Sequence, residues 1–99
     1  MNVSVIRGRM VAVPPLRRND EGTAILKFTV AVNEYGGKNK RAEFIDCTAF
    51  GSCAEFIERN FVQGKMICIC GKIRTHVWEK RDGVKAKDVW LEVAEAQFG

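Results

Sequence analysis

The chain has 99 residues, enough for one domain and too few for two. Hydrophobic residues make up 46% and charged residues 28%, a globular composition that excludes disorder of the whole chain. With 16 Lys+Arg against 12 Asp+Glu the net charge is +4, which permits an acidic partner such as nucleic acid without demanding one.

Residues 3–13 read as extended, with Gly8 marking a bulge or a close backbone approach, and Pro14-Pro15 ends them. Asn19-Asp20-Glu21-Gly22 is turn chemistry. Ala24, Leu26, Phe28, Val30 and Val32 then alternate with Ile25, Lys27, Thr29, Ala31 and Asn33. That period of two predicts a strand with its even face buried. Glu34 to Arg41 is a Gly-rich basic loop carrying one aromatic, Tyr35. A third strand is expected from about Glu43 to Phe50, closed by Gly51. Ser52-Cys53-Ala54-Glu55 has the pattern of a capping box, serine at the cap and glutamate three residues on. The short helix it opens is expected to end near Gly64, with Ala54, Ile57 and Phe61 on one face. A fourth strand covers about Lys65 to Glu79, interrupted at Gly71; Asp82-Gly83 marks a hairpin, and a fifth strand covers about Lys87 to Ala94.

The chain is therefore expected to be all-β, one domain over residues 1–99. Five strands with one short helix between the third and fourth is the order of an OB-fold, a five-stranded Greek-key barrel. Closure into a barrel also disposes of exposed strand edges. The longest apolar run, Met66 to Cys70, is far short of a membrane span. The first seven residues contain no basic segment followed by an apolar core, so no signal peptide and a cytoplasmic location are expected. Cys47, Cys53, Cys68 and Cys70 are then expected as reduced thiols. They form no Cys-x-x-Cys knuckle, and they are read as small strand residues rather than metal ligands.

Alternation also sorts the side chains of the third and fourth strands by face. Ile45, Cys47 and Ala49 point one way; Phe44, Asp46, Thr48 and Phe50 point the other. In the fourth strand Ile67, Ile69, Ile73, Thr75 and Val77 form an apolar face, and Lys72, Arg74, His76 and Trp78 form the opposite one. A bulge at Gly71 would flip that parity. With the isoleucines filling the barrel, Phe44, Phe50 and Trp78 are left outside among Lys72, Arg74 and His76. Large rings in water call for a cover, either nucleobases or another subunit. Aromatics interleaved with cations suit single-stranded nucleic acid, the bases stacking and the cations following the phosphates. Lys38, Lys40 and Arg41 flank the same groove and need no rigid geometry to reach a phosphate.

These blocks resemble the bacterial and phage single-stranded DNA-binding protein (SSB) family over nearly the whole chain. The resemblance rests on Asn2-Val3-Ser4-Val5-Ile6-Arg7-Gly8-Arg9-Met10, on Pro15-Leu16-Arg17 with Gly22-Thr23-Ala24, and on Phe28-Thr29-Val30-Ala31-Val32-Asn33. It is most telling at Phe44-Ile45-Asp46-Cys47-Thr48-Ala49-Phe50-Gly51 with Ala54-Glu55-Phe56, and it continues through Gly64, Gly71-Lys72-Ile73-Arg74-Thr75 and Trp78. The resemblance implies an OB-fold that binds single-stranded DNA without strong sequence preference and protects it in replication, recombination and repair. It further implies a homotetramer, a dimer being the alternative, and neither catalysis nor a cofactor. The family's stacking aromatics fall on Phe44, Phe50 and Trp78, and Tyr35 lies close to a further one.

The chain departs from the family pattern in two places. Family members continue into a flexible tail whose acidic tip recruits other proteins; this sequence ends at Phe98-Gly99, as a truncated DNA-binding domain or a naturally short relative would, which leaves recruitment through such a tip in doubt. Trp90 is atypical and points away from Val89, Leu91 and Val93, as an extra stacking ring or, the favoured reading, an interface residue. Arg7 and Arg9 face either phosphate or a neighbouring subunit. Two other classes of function compete. An interaction module would set the same aromatics against protein and oligomerise without nucleic acid. An enzyme would have to rest on the single histidine, His76, since Glu43 and Asp46 fall on opposite faces and form no carboxylate pair.

Overall fold

The structure is a computed structural model and describes residues 1–34 and 41–99. Along the chain run β1 (Ser4–Ala12), β2 (Arg17–Arg18), β3 (Ala24–Glu34), β4 (Arg41–Phe50), α1 (Gly51–Asn60), β5 (Met66–Glu79) and β6 (Lys85–Phe98). The five expected strands correspond to β1, β3, β4, β5 and β6; the two-residue β2, paired to the start of β3, is an addition. The sheet order is β1-β5-β6-β4-β3-β2, and β1 also pairs with β3, so the five long strands close into a ring. Two short ladders make the closure. Arg9 and Met10 pair antiparallel with Ala31 and Val30, and Cys47 and Thr48 pair parallel with Leu91 and Glu92. This is the barrel that the sequence predicts, with the helix between the third and fourth long strands.

Alternation fills the barrel. Leu26, Phe28 and Val30 of β3 meet Cys47 and Ala49 of β4, Ile67 and Ile69 of β5, and Leu91 and Val93 of β6, all buried. Each fully buried Leu or Ile contributes about 1.5–3 kcal/mol relative to exposure. Two glycines let strands come closer than any other residue would allow. A Cβ on Gly8 would overlap the Ala31 carbonyl, and a Cβ on Gly71 would overlap the Glu92 carbonyl. The expected irregularity at Gly71 is present, but the extra residue sits on the partner strand. Cys70 pairs with Glu95 and Gly71 with Val93, which leaves Ala94 bulged on β6. The alternation of β5 therefore runs through Gly71 unflipped.

The helix corrects two expectations. Ser52 is not the N-cap: α1 begins at Gly51 with extended Phe50 as its cap residue, and no side chain caps it. The helix ends at Asn60, capped by Phe61, and Gly64 (φ +89°) lies in the turn beyond, donating its N–H to the Met10 carbonyl at 2.7 Å. Its apolar face is as expected, with Ala54, Ile57 and Phe61 all buried. Phe61 stacks on Phe98 with ring centroids 5.1 Å apart, and Phe56 meets both rings edge-on. The Lys65 ammonium lies 4.8 Å from the Phe98 ring centroid. These contacts reach the end of β6, which runs four residues past its expected limit at Ala94.

The main correction concerns the fourth strand. The isoleucines of its apolar face, Ile73 among them, are expected from the sequence to fill the barrel. Beyond Gly71, β5 leaves the ring and pairs only with β6, from Lys72 opposite Glu92 to Glu79 opposite Lys85. The result is a two-stranded arm. Every residue from Lys72 to Glu79 is exposed, Ile73, Thr75 and Val77 included, because among the described residues no third strand joins the arm. No helix among the described residues is long and apolar enough to cross a membrane.

Candidate nucleic-acid interface

The outward face of β4 carries Phe44, Asp46, Thr48 and Phe50 by alternation, opposite Ala31, Thr29, Lys27 and Ile25 of β3. Phe44 is 65% exposed and Phe50 43% exposed, so both rings stand outside the barrel. At roughly 3.4 Å per residue the two lie about 20 Å apart along the strand. Between them the Thr29 hydroxyl donates to an Asp46 carboxylate oxygen at 3.1 Å. Beneath this face Cys47 points inward. Burial, with Asp46 next to it, pushes its thiol up to about 12, so it is a protonated core residue.

The arm adds the second wall. Cross-strand neighbours share a face, so Arg74 stands beside Trp90, His76 beside Asp88 and Trp78 beside Ala86. Trp78 is 42% exposed. Where the arm leaves the barrel, a cavity of about 770 Å³ opens between Phe50 and Lys27 on one side and His76, Asp88 and Trp90 on the other. The structure thus brings Phe50 and His76 together and places Arg74 and Trp78 on the adjoining face of the arm. Lys72 does not join them. Its ammonium pairs with Glu92 at 3.6 Å, in a separate hollow with Asn2 and Val3. Arg41, at the start of β4, pairs with Glu43 at 3.0 Å. Tyr35, Lys38 and Lys40 lie outside the described residues.

One groove residue was missed as a site candidate. Lys27 is exposed and lies across from Thr48, beside Phe50. Its outward parity is visible in the sequence, but its neighbours are not. Trp90, which was assigned to the groove or to an interface, is half-buried and lines the cavity. Arg7 and Arg9 border a smaller hollow with Gly8, Ala31 and Asn33, on the far side of β3 from Phe44, and Arg9 donates to the Gly64 carbonyl. Among the described residues no three His, Cys, Asp or Glu side chains converge to hold a metal ion. All four cysteines are free.

Comparison with known proteins adds the family. The sequence profile described as "Single-strand binding protein family" matches residues 1–99.

The chain belongs to this family.

It is 40% identical over 86 residues to the single-stranded DNA-binding protein of Clostridium perfringens, covering 86% of this chain and 57% of that one. It is 33% identical to the single-stranded DNA-binding protein of Fusobacterium nucleatum, covering 100% of this chain and 67% of that one. Single-stranded DNA-binding protein 2 of Listeria monocytogenes is 34% identical, over 99% of this chain and 63% of that one. The chain therefore spans about three fifths of the length of these relatives. Membership agrees with the closed barrel and helix placement described above, the OB-fold architecture.

Proposed function

We propose that this protein binds single-stranded DNA with little sequence preference, stacking bases on Phe44, Phe50 and Trp78. Tyr35, in the sequence between β3 and β4, extends the series. Arg74 and His76 on the arm, Arg41 at the start of β4, and Lys38 and Lys40 follow the phosphates, whereas Lys72, paired with Glu92 in a separate hollow, is left out. The observation that carries this reading is three large exposed rings, Phe44 and Phe50 on the outward face of β4 and Trp78 on the arm, with His76 of the arm lining the same cavity as Phe50. A ring that is planar and unspecific accepts any base, which gives sequence tolerance. The reading assigns no catalysis and no cofactor. Its physiological sense is protection of exposed single strands in replication, recombination and repair, in the cytoplasm at the nucleoid.

The same reading includes a homotetramer, a dimer being the other arrangement. Two features support self-association. The arm exposes Ile73 and Val77 on the side opposite Arg74, His76 and Trp78, and β1 is unpaired from Ser4 to Gly8 on its side away from β5, among the described residues.

Titration of intrinsic tryptophan fluorescence with oligothymidine tests the binding. Saturable quenching that weakens with added salt is expected, because each phosphate contact releases counterions. Trp78→Ala is expected to weaken binding by about 1–3 kcal/mol, roughly five- to hundredfold. Unchanged affinity in that variant would sink the stacking site. Absence of binding at low salt would favour the interaction module.

A further inference from the structure

We infer that Trp90 is a further stacking ring, and that with Phe50 it forms a base-binding pocket where the arm joins the barrel. The inference rests on the single-stranded DNA reading above and deepens it.

Trp90 occupies a corner. It is the last residue of the arm before Leu91, which pairs with Cys47 in the barrel wall. Leu91 is buried, so alternation turns Trp90 outward, and the cavity of about 770 Å³ lies in front of it. That size falls in the range of about 300–1,000 Å³ typical of small-ligand sites, ample for one nucleotide. Phe50 lines the same cavity from the barrel, so two rings face one space. Trp90 thereby bridges Phe50 on β4 and Trp78 farther out on the arm, which are otherwise separated by the junction.

The charges of the cavity select its occupant. Lys27 and Lys87 line it, and so do Asp46 and Asp88. The carboxylates oppose a phosphate inside and accept hydrogen bonds from the N–H edges of a base; the lysines suit the phosphates on either side of it. A protein partner fits less well, because the centres of protein interfaces are depleted of charge whereas this ring sits among four ionic groups and His76. The occupant is therefore a base of a single strand, not a second copy of the chain.

The chain has two tryptophans, which makes the test direct. In Trp78→Phe the one remaining tryptophan, excited selectively at the red edge beyond tyrosine absorption, is Trp90; in Trp90→Phe it is Trp78. Each variant is titrated with oligothymidine at low salt, and binding is followed in parallel by anisotropy of a labelled oligonucleotide. Trp90 emission is expected to quench along the anisotropy curve. Trp90→Ala is expected to bind roughly five- to hundredfold more weakly, and Trp90→Phe to recover most of that loss. If Trp90→Ala fails to fold, the quenching of Trp90 in Trp78→Phe decides alone. Trp90 emission that ignores bound oligonucleotide, or that follows protein concentration instead, overturns the pocket while leaving the wider reading intact. A parent protein that gives no anisotropy change with oligothymidine overturns the wider reading and the pocket together.

Discussion

Gly71 shows how much one missing methyl group decides. It brings the β5 backbone against the Glu92 carbonyl at the point where the arm begins. Gly71→Ala forces the two strands apart at the junction and is expected to destabilise the fold by about 1–3 kcal/mol, read as a lower urea midpoint. Cys47 makes a different kind of prediction. Its folded thiol keeps its proton up to about 12, whereas an unfolded one ionises near 9.0. Unfolding thus releases a proton in alkaline solution, and the contribution is whole below pH 9 and is lost as pH rises toward 12. The denaturation midpoint is expected to fall more steeply above pH 9 in the parent than in Cys47→Ala. At this scale the sequence is informative wherever alternation applies. It turns Phe44 and Phe50 outward and Cys47 inward without any knowledge of the partners.

Among the elements, the helix is the one whose local signal misled. Ser-x-x-Glu is a capping pattern only if serine precedes the first turn, and the helix starts two residues earlier, at Gly51 with Phe50 in the cap position. Ser52 is exposed and makes no cap bond. Ser52→Ala is therefore expected to change stability by less than about 0.5 kcal/mol, where loss of a working cap costs about 0.5–2. Urea denaturation distinguishes the two. The fourth strand misled for another reason. Ile73, Thr75 and Val77 keep the period of a buried face, yet the ring needs β5 only as far as Gly71. A hairpin of two strands has no layer to cover it, whatever its pattern.

The whole molecule is where association belongs. The arm exposes Ile73 and Val77, which alternate away from Arg74, His76 and Trp78. Val77 is 56% exposed, so a charge there costs the isolated fold little. If a second copy covers the arm, Val77→Asp is expected to lower the oligomeric mass seen by light scattering while oligothymidine still quenches Trp78. An unchanged mass would remove the arm from the interface.

The sequence by itself determined the order of the elements, the barrel class, and the side of each strand on which a residue falls. Those follow from local geometry, since a strand repeats every two residues and a turn needs its own residue types. Only the tertiary structure decided where β5 and β6 leave the ring, that Lys72 is paired with Glu92 apart from the groove, and that Trp90 and Lys27 face Phe50. Those depend on pairings between residues far apart in the chain. Periodicity says which way a side chain points, and only the closed sheet says what stands in front of it.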